Sequence, residues 1–127
     1  MHRSKLAGFI IDCQGSEVSA AASFWSAALG MTQVAAAADA PASRYQKLRD
    51  QHLDLSIEVQ AVDHPSRVHL DIETDDVEAE VKRLEALGAR RVAAVHTWWV
   101  MEAPTGQRFC VVRIQTQNFA DHSNKWP

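Results

Sequence analysis

Phe9-Ile10-Ile11-Asp12-Cys13-Gln14-Gly15-Ser16-Glu17-Val18 aligns without a gap on Val68-His69-Leu70-Asp71-Ile72-Glu73-Thr74-Asp75-Asp76-Val77. Each stretch is a short apolar strand with Asp in fourth place, followed by a polar turn and a Val that opens a helical pattern. Self-similarity at this spacing means that the chain repeats one supersecondary unit. Both helical patterns finish in Leu-Gly, at Leu29-Gly30 and Leu87-Gly88, where Gly can take the left-handed conformation that ends a helix.

Working outward, Val77, Val81, Leu84 and Leu87 recur at three- and four-residue steps and predict an amphipathic helix. Asp75 with Glu78 reads as its capping box, and Glu78, Glu80, Lys82, Arg83 and Glu85 read as its solvated face. In the first half Ser16 is the expected cap. Val18, Ala21, Ala22, Phe24, Trp25, Ala28 and Leu29 form the stripe of what should be the more deeply buried helix. Strands are expected at 32–34, 45–48 and 53–59, and again at 91–95, 97–101 and 109–114, with turns at 40–43, 49–51, 63–66 and 103–106. The fold class is therefore α+β: two β-α-β-β-β modules, at about 7–60 and 67–114, forming a curved mixed sheet around a cup, with the helices on its outer face. The tail, 115–127, is polar apart from Phe119 and Trp126, and is either frayed or pinned by those rings.

Composition narrows the functional classes. The 127 residues are 46% hydrophobic with a net charge of -3, and no run of Lys or Arg offers a nucleic-acid or membrane footprint. No apolar stretch approaches the ~18 residues of a membrane span. A soluble, cytoplasmic single domain is the expectation, with a small molecule as partner. Cys13 and Cys110 lie far apart in apolar runs and are expected as free, buried thiols.

Alternation assigns the strand faces. Val68, Leu70 and Ile72 should lie under the helix, which turns His69, Asp71 and Glu73 into the cup. The fourth strand presents Asp54, Ser56, Glu58 and Gln60 opposite Leu53, Leu55, Ile57 and Val59. By the repeat, Ile10 and Asp12 stand where His69 and Asp71 stand. In the last strand Cys110 and Val112 face the cup if Phe109 and Val111 face the helix. Of the adjacent Trp98 and Trp99 only one can look inward, and Met101 is a further candidate for the apolar lining, whereas Trp25 reads as helix core. His2, His52, His64, His96 and His122 read as surface residues. A concave surface with a few convergent polar groups is the usual form of a small-molecule site. The candidate ligand-binding residues are thus Asp12, Glu58, His69, Asp71, Glu73, Trp98, Trp99, Met101 and Cys110, with the carboxylates favouring a cationic or hydrogen-bond-donating ligand. A His beside carboxylates also suits proton transfer near neutral pH, which makes His69 the candidate catalytic residue if the protein is an enzyme.

Phe24-Trp25 with Leu29-Gly30-Met31, the stretch from Val68 to Val77 with Leu87-Gly88-Ala89, and Ala103-Pro104-Thr105-Gly106-Gln107-Arg108-Phe109-Cys110 together resemble the vicinal-oxygen-chelate superfamily of glyoxalases, bleomycin-resistance proteins and extradiol dioxygenases. The resemblance covers residues 7–114. Trp98-Trp99-Val100-Met101 and Phe109-Cys110-Val111 are closest to its glyoxalase-like branch. Metal-dependent members carry a His in the first strand, a Glu in the fourth, a His in the fifth and a Glu in the eighth. Carried over, the resemblance implies His69 and Glu58 as ligands, with Ile10 and Cys110 in the other two places. That departure favours a binding module without the full metal site, resembling the bleomycin-resistance proteins. The alternative is a divalent-metal-dependent lyase or dioxygenase, or a metal-free acid-base enzyme. The resemblance also implies a homodimer.

Overall fold

The computed structural model describes all 127 residues. The elements follow the repeat: β1 (His2–Gln14), α1 (Val18–Leu29), β2 (Thr32–Gln33), β3 (Tyr45–Arg49) and β4 (Ser56–Val62), then β5 (Arg67–Thr74), α2 (Val77–Ala86), β6 (Arg90–Val95), β7 (Trp98–Glu102) and β8 (Arg108–Arg113). The tail adds α3 (Phe119–His122) and β9 (Asn124–Trp126). No helix is long and apolar enough to cross a membrane. The chain divides into two compact units, Phe9–Val68 and the segments Met1–Gly8 with His69–Pro127, so β1 contributes to both.

In the unit Phe9–Val68 the strands run β2-β3-β4-β1. Helix α1 packs on β2, β3 and β4. Ile11, Ala22, Met31, Leu48, Ile57 and Val59 form the core, with Phe9, Cys13, Ala21, Trp25 and Leu55 against it. The helix is less buried than its composition suggests. Ala22 is its one fully buried residue, and Phe24 lies off the stripe in solvent, edge-on to Trp25. Its N-cap is Glu17 rather than Ser16, with no side-chain cap bond, while Gly30 closes it at φ 67° as the sequence predicts. β4 starts three residues later than expected, which leaves Leu53 exposed.

In the other unit the order is β1-β5-β8-β7-β6, with β9 added to β1. β5 and β8 are parallel, whereas β8, β7 and β6 pair antiparallel. Helix α2 lies over β6, β7 and β8. It covers Val81, Leu84, Met101, Phe109 and Val111, with Ile72, Val77, Ala89, Trp99 and Ala103 packed around them. Because α2 sits over those three strands, β5 lies at the margin of its cover. Of the three apolar residues expected beneath the helix only Ile72 is packed there, and Val68 and Leu70 are exposed. The helix cap is also displaced by one residue. Asp76, not Asp75, accepts from Ala79 N at 3.0 Å, because the Asp75 carboxylate is taken by the Arg3 amide at 2.8 Å.

Two residues assigned to the surface by sequence are buried together. Glu80 is fully buried and His2 nearly so, with His2 Nε2 2.7 Å from Glu80 Oε1. Arg83 donates to both carboxylate oxygens at 2.8 Å, and Ser4 supplies a further bond. Trp126 Nε1 donates to Ser4 Oγ at 2.8 Å, and its ring lies 3.8 Å from the Arg83 guanidinium carbon. The tail is therefore pinned, with His2 paired to Trp126 across β1 and β9 and Phe119 buried.

Burial pushes the Glu80 carboxyl up, but its bonds from Arg83, His2 and Ser4 outweigh that and hold it below its ordinary value of 4.5. A depressed carboxyl contributes stability that is complete above its unfolded-state pKa and lost as pH falls through the folded one. Denaturation monitored against pH should therefore show stability falling below pH 4.5, and Glu80→Gln should flatten that acid limb. At neutral pH, Glu80→Ala should cost about 3 kcal/mol or more, since it strands two buried partners.

Candidate functional site

The parallel ladder of β5 and β8 sets Asp71 opposite Cys110, and Ile72 opposite Val111. Ile72 and Val111 belong to the α2 core, so alternation turns Asp71 and Cys110 to the other face. His69, two residues before Asp71, shares that face. Val100 of β7 continues the row beside Cys110.

Three chemically different side chains meet there. One donor atom each from His69, Asp71 and Cys110 lies within 4.8 Å of the other two. Asp71 and Cys110 are each 8% exposed, and the His69 side chain is largely covered. His69 Nε2 stands 3.5 Å from Asp71 Oδ1, beyond the range of a good N–H···O bond. Asp71 Oδ1 is buried and has no hydrogen-bond partner. Leaving a buried carboxylate oxygen unsatisfied costs on the order of 1–3 kcal/mol.

The other candidates are placed as follows. Glu73 shares the face but is fully buried and saturated: Gln115 N donates to it at 2.7 Å, Thr116 N at 3.0 Å and Thr116 Oγ1 as well, with Lys5 Nζ at 3.4 Å. It ties the start of the tail to β5. Met101 does not line a ligand surface, because it is fully buried under α2 against Phe109 and Val111. Trp99 packs beside that core with the Arg91 guanidinium carbon 4.9 Å from its ring centroid, and Glu78 and then Glu85 bond Arg91 and raise its pKa. Of the tryptophan pair it is Trp98 that alternation sets on the face of Val100; it is half-buried, 5.7 Å from the His96 ring. His96 takes φ 49° at the tip between β6 and β7, which fixes this register.

Asp12 and Glu58 belong to the unit Phe9–Val68. Asp12 is buried, with Arg67 Nε at 3.6 Å and His64 Nε2 at 3.9 Å from its Oδ2. Glu58 is half-buried on the β4 face opposite Ile57 and Val59. Lys5 was not foreseen: its position in an alternating strand start carried no signal until Glu73 was seen beside it.

Two units of strand, helix and three strands, each with its helix packed on one face of its own strands, define the class of protein. A family model described as glyoxalase-like domain matches residues 8–112. The chain belongs to that family, within the vicinal-oxygen-chelate superfamily. Among solved structures, methylmalonyl-CoA epimerase from Mycobacterium tuberculosis superposes with a TM-score of 0.61 at 16% identity, over 87% of this chain and 89% of that one. A hypothetical protein from Bacillus halodurans C-125 gives 0.55 at 14% identity, over 91% and 99%. A glyoxalase/bleomycin resistance protein/dioxygenase superfamily member from Vibrio splendidus 12B01 gives 0.50 at 16%, over 87% and 99%. No curated protein sequence matches the chain. These likenesses carry the fold.

The metal set that the superfamily implies does not fit this chain. Its first-strand His position holds Ile10, a buried alkyl side chain, and its eighth-strand Glu position holds Cys110. Two oxygen and nitrogen donors are thereby replaced by a hydrocarbon and a thiol.

Because an unsatisfied Asp71 oxygen costs folding energy, Asp71→Asn should leave stability unchanged or raise it by up to about 1 kcal/mol. Met101→Ala should instead cost about 2–5 kcal/mol. Urea denaturation of the two variants measures both.

Proposed function

We propose that the protein binds a small molecule on the sheet face that carries His69, Asp71 and Cys110. The observation that supports this reading most directly is the Asp71 Oδ1 atom, buried without a hydrogen-bond partner. A ligand bearing a cationic or neutral donor group would satisfy it. His69 supplies a second polar contact, and Val100, Val112 and Trp98 supply apolar surface on the same face. Glu73 holds Lys5 and the tail in place behind them. Asp12 and Glu58 are retained as candidate ligand contacts of the other unit.

Three probes of one size test the reading: benzylamine, benzyl alcohol and benzoate, titrated while the backbone amide resonances are followed by NMR. Benzylamine and benzyl alcohol should shift the amides of residues 69–71 and 110–112, and benzoate should not. Asp71→Ala should abolish both responses. Equal binding of all three compounds, or responses unchanged in Asp71→Ala, would overturn the proposal.

A further inference from the structure

We infer that the crevice at the carboxyl ends of β5 and β8, on the helix side of the sheet, binds a small zwitterion of the amino-acid type. Arg113 takes its carboxylate and Asp75 its ammonium group. The crevice lies on the opposite face from His69, Asp71 and Cys110, and its occupancy does not depend on what that face binds.

The cavity follows from the way two parallel strands part. Ile72 and Val111 look toward α2, so alternation turns Thr74 and Arg113, paired in the same ladder, to that side as well. Beyond Thr74 the chain rises into α2, which opens at Val77. Beyond Arg113 it is held on the other face, where Glu73 accepts from the amides of Gln115 and Thr116. Neighbouring strands whose continuations leave on opposite sides open a crevice at their carboxyl ends. Thr74, Asp75, Val77, Thr97, Arg113 and Ile114 line it, and its volume is about 490 Å³. Small-molecule sites occupy roughly 300–1,000 Å³.

Two opposite charges line this cavity without neutralising each other. The other arginines of the unit are engaged: Arg83 by Glu80, Arg91 by Glu78 and Glu85, Arg90 and Arg108 by Glu102, and Arg3 by the Ala120 carbonyl. Arg113 is exposed and enters no ion pair, although the Asp75 carboxylate borders the same space. The Arg3 amide bonds Asp75 Oδ1 at 2.8 Å, which orients the carboxylate and leaves its second oxygen available. The neighbouring acids are committed elsewhere, Asp76 to the helix cap and Glu78 to Arg91. A guanidinium receives a carboxylate through two parallel N–H···O bonds. A ligand carrying only one charge would meet one group and desolvate the other without compensation, whereas a zwitterion meets both. Val77 and Ile114, the latter 46% exposed, offer apolar surface to the ligand's side chain.

Leucine carries both charges and an apolar side chain; isocaproate is the same skeleton without the ammonium group, and isoamylamine the same without the carboxylate. Titrated into the full-length protein and followed by backbone amide NMR, leucine should shift residues 74–77, 97 and 113–114. Isocaproate and isoamylamine should each bind more weakly by about tenfold or more. Arg113→Gln and Asp75→Asn should weaken leucine binding to a similar degree while the remaining amide resonances stay in place. The asparagine keeps an acceptor for the Arg3 amide, so the strand contact survives the change. Asp71→Ala should leave the leucine response at 74–77 intact, which keeps this result separate from success or failure of the reading for the opposite face. The inference is overturned if leucine leaves these amides unmoved, if either single-charge analogue binds as tightly as leucine, or if the response persists in both variants.

Discussion

The parallel pairing of β5 with β8 is the constraint on which the rest of the second unit depends. Strand geometry leaves no freedom once that register is set. Ile72 beside Val111 must look toward α2, and Asp71 beside Cys110 must look away from it. A slip of β5 by one residue against β8 would turn the Asp71 carboxylate to the helix side and Ile72 to the polar face. The hydrophobic core and the polar cluster are thus two sides of a single pairing decision, and neither can be altered without the other.

The buried carboxylates of this unit are not satisfied alike. On α2 the Glu80 carboxylate is fully buried, yet each of its oxygens is bonded, and the partners come from the first residues of the chain and from the helix itself. Glu73 is likewise saturated, by backbone amides of the tail. Asp71 has the same chemistry at similar burial, but one of its oxygens meets no donor. Within this unit the fold thus satisfies Glu73 and Glu80 fully and Asp71 only in part.

Much of this was legible in the sequence. The ungapped match of 9–18 with 68–77 specified the repeated unit, and period-two alternation put His69 and Asp71 on one face and the α2 core on the other. What escaped depends on contacts between residues distant in sequence. Glu80 shares its side of the helix pattern with other charged residues and reads as solvated until His2, 78 positions away, is seen against it. The cap moved from Asp75 to Asp76 because a strand amide at Arg3 claimed the first carboxylate. Alternation allowed either Trp98 or Trp99 to face away from the helix, and the turn at His96 decided between them. Leu70 was misplaced because the pattern of a strand does not say how far a helix extends across it.

The pairing of His2 with Trp126 has a topological consequence. Residues 2–4 and 124–126 lie side by side in one antiparallel ladder. A few residues of linker between these two segments would join them, and the exposed segment between β2 and β3 offers a place to open the chain. In such a permuted molecule β9 and β1 would become one continuous hairpin, held by covalent connection as well as by the bonds that now clasp the two ends.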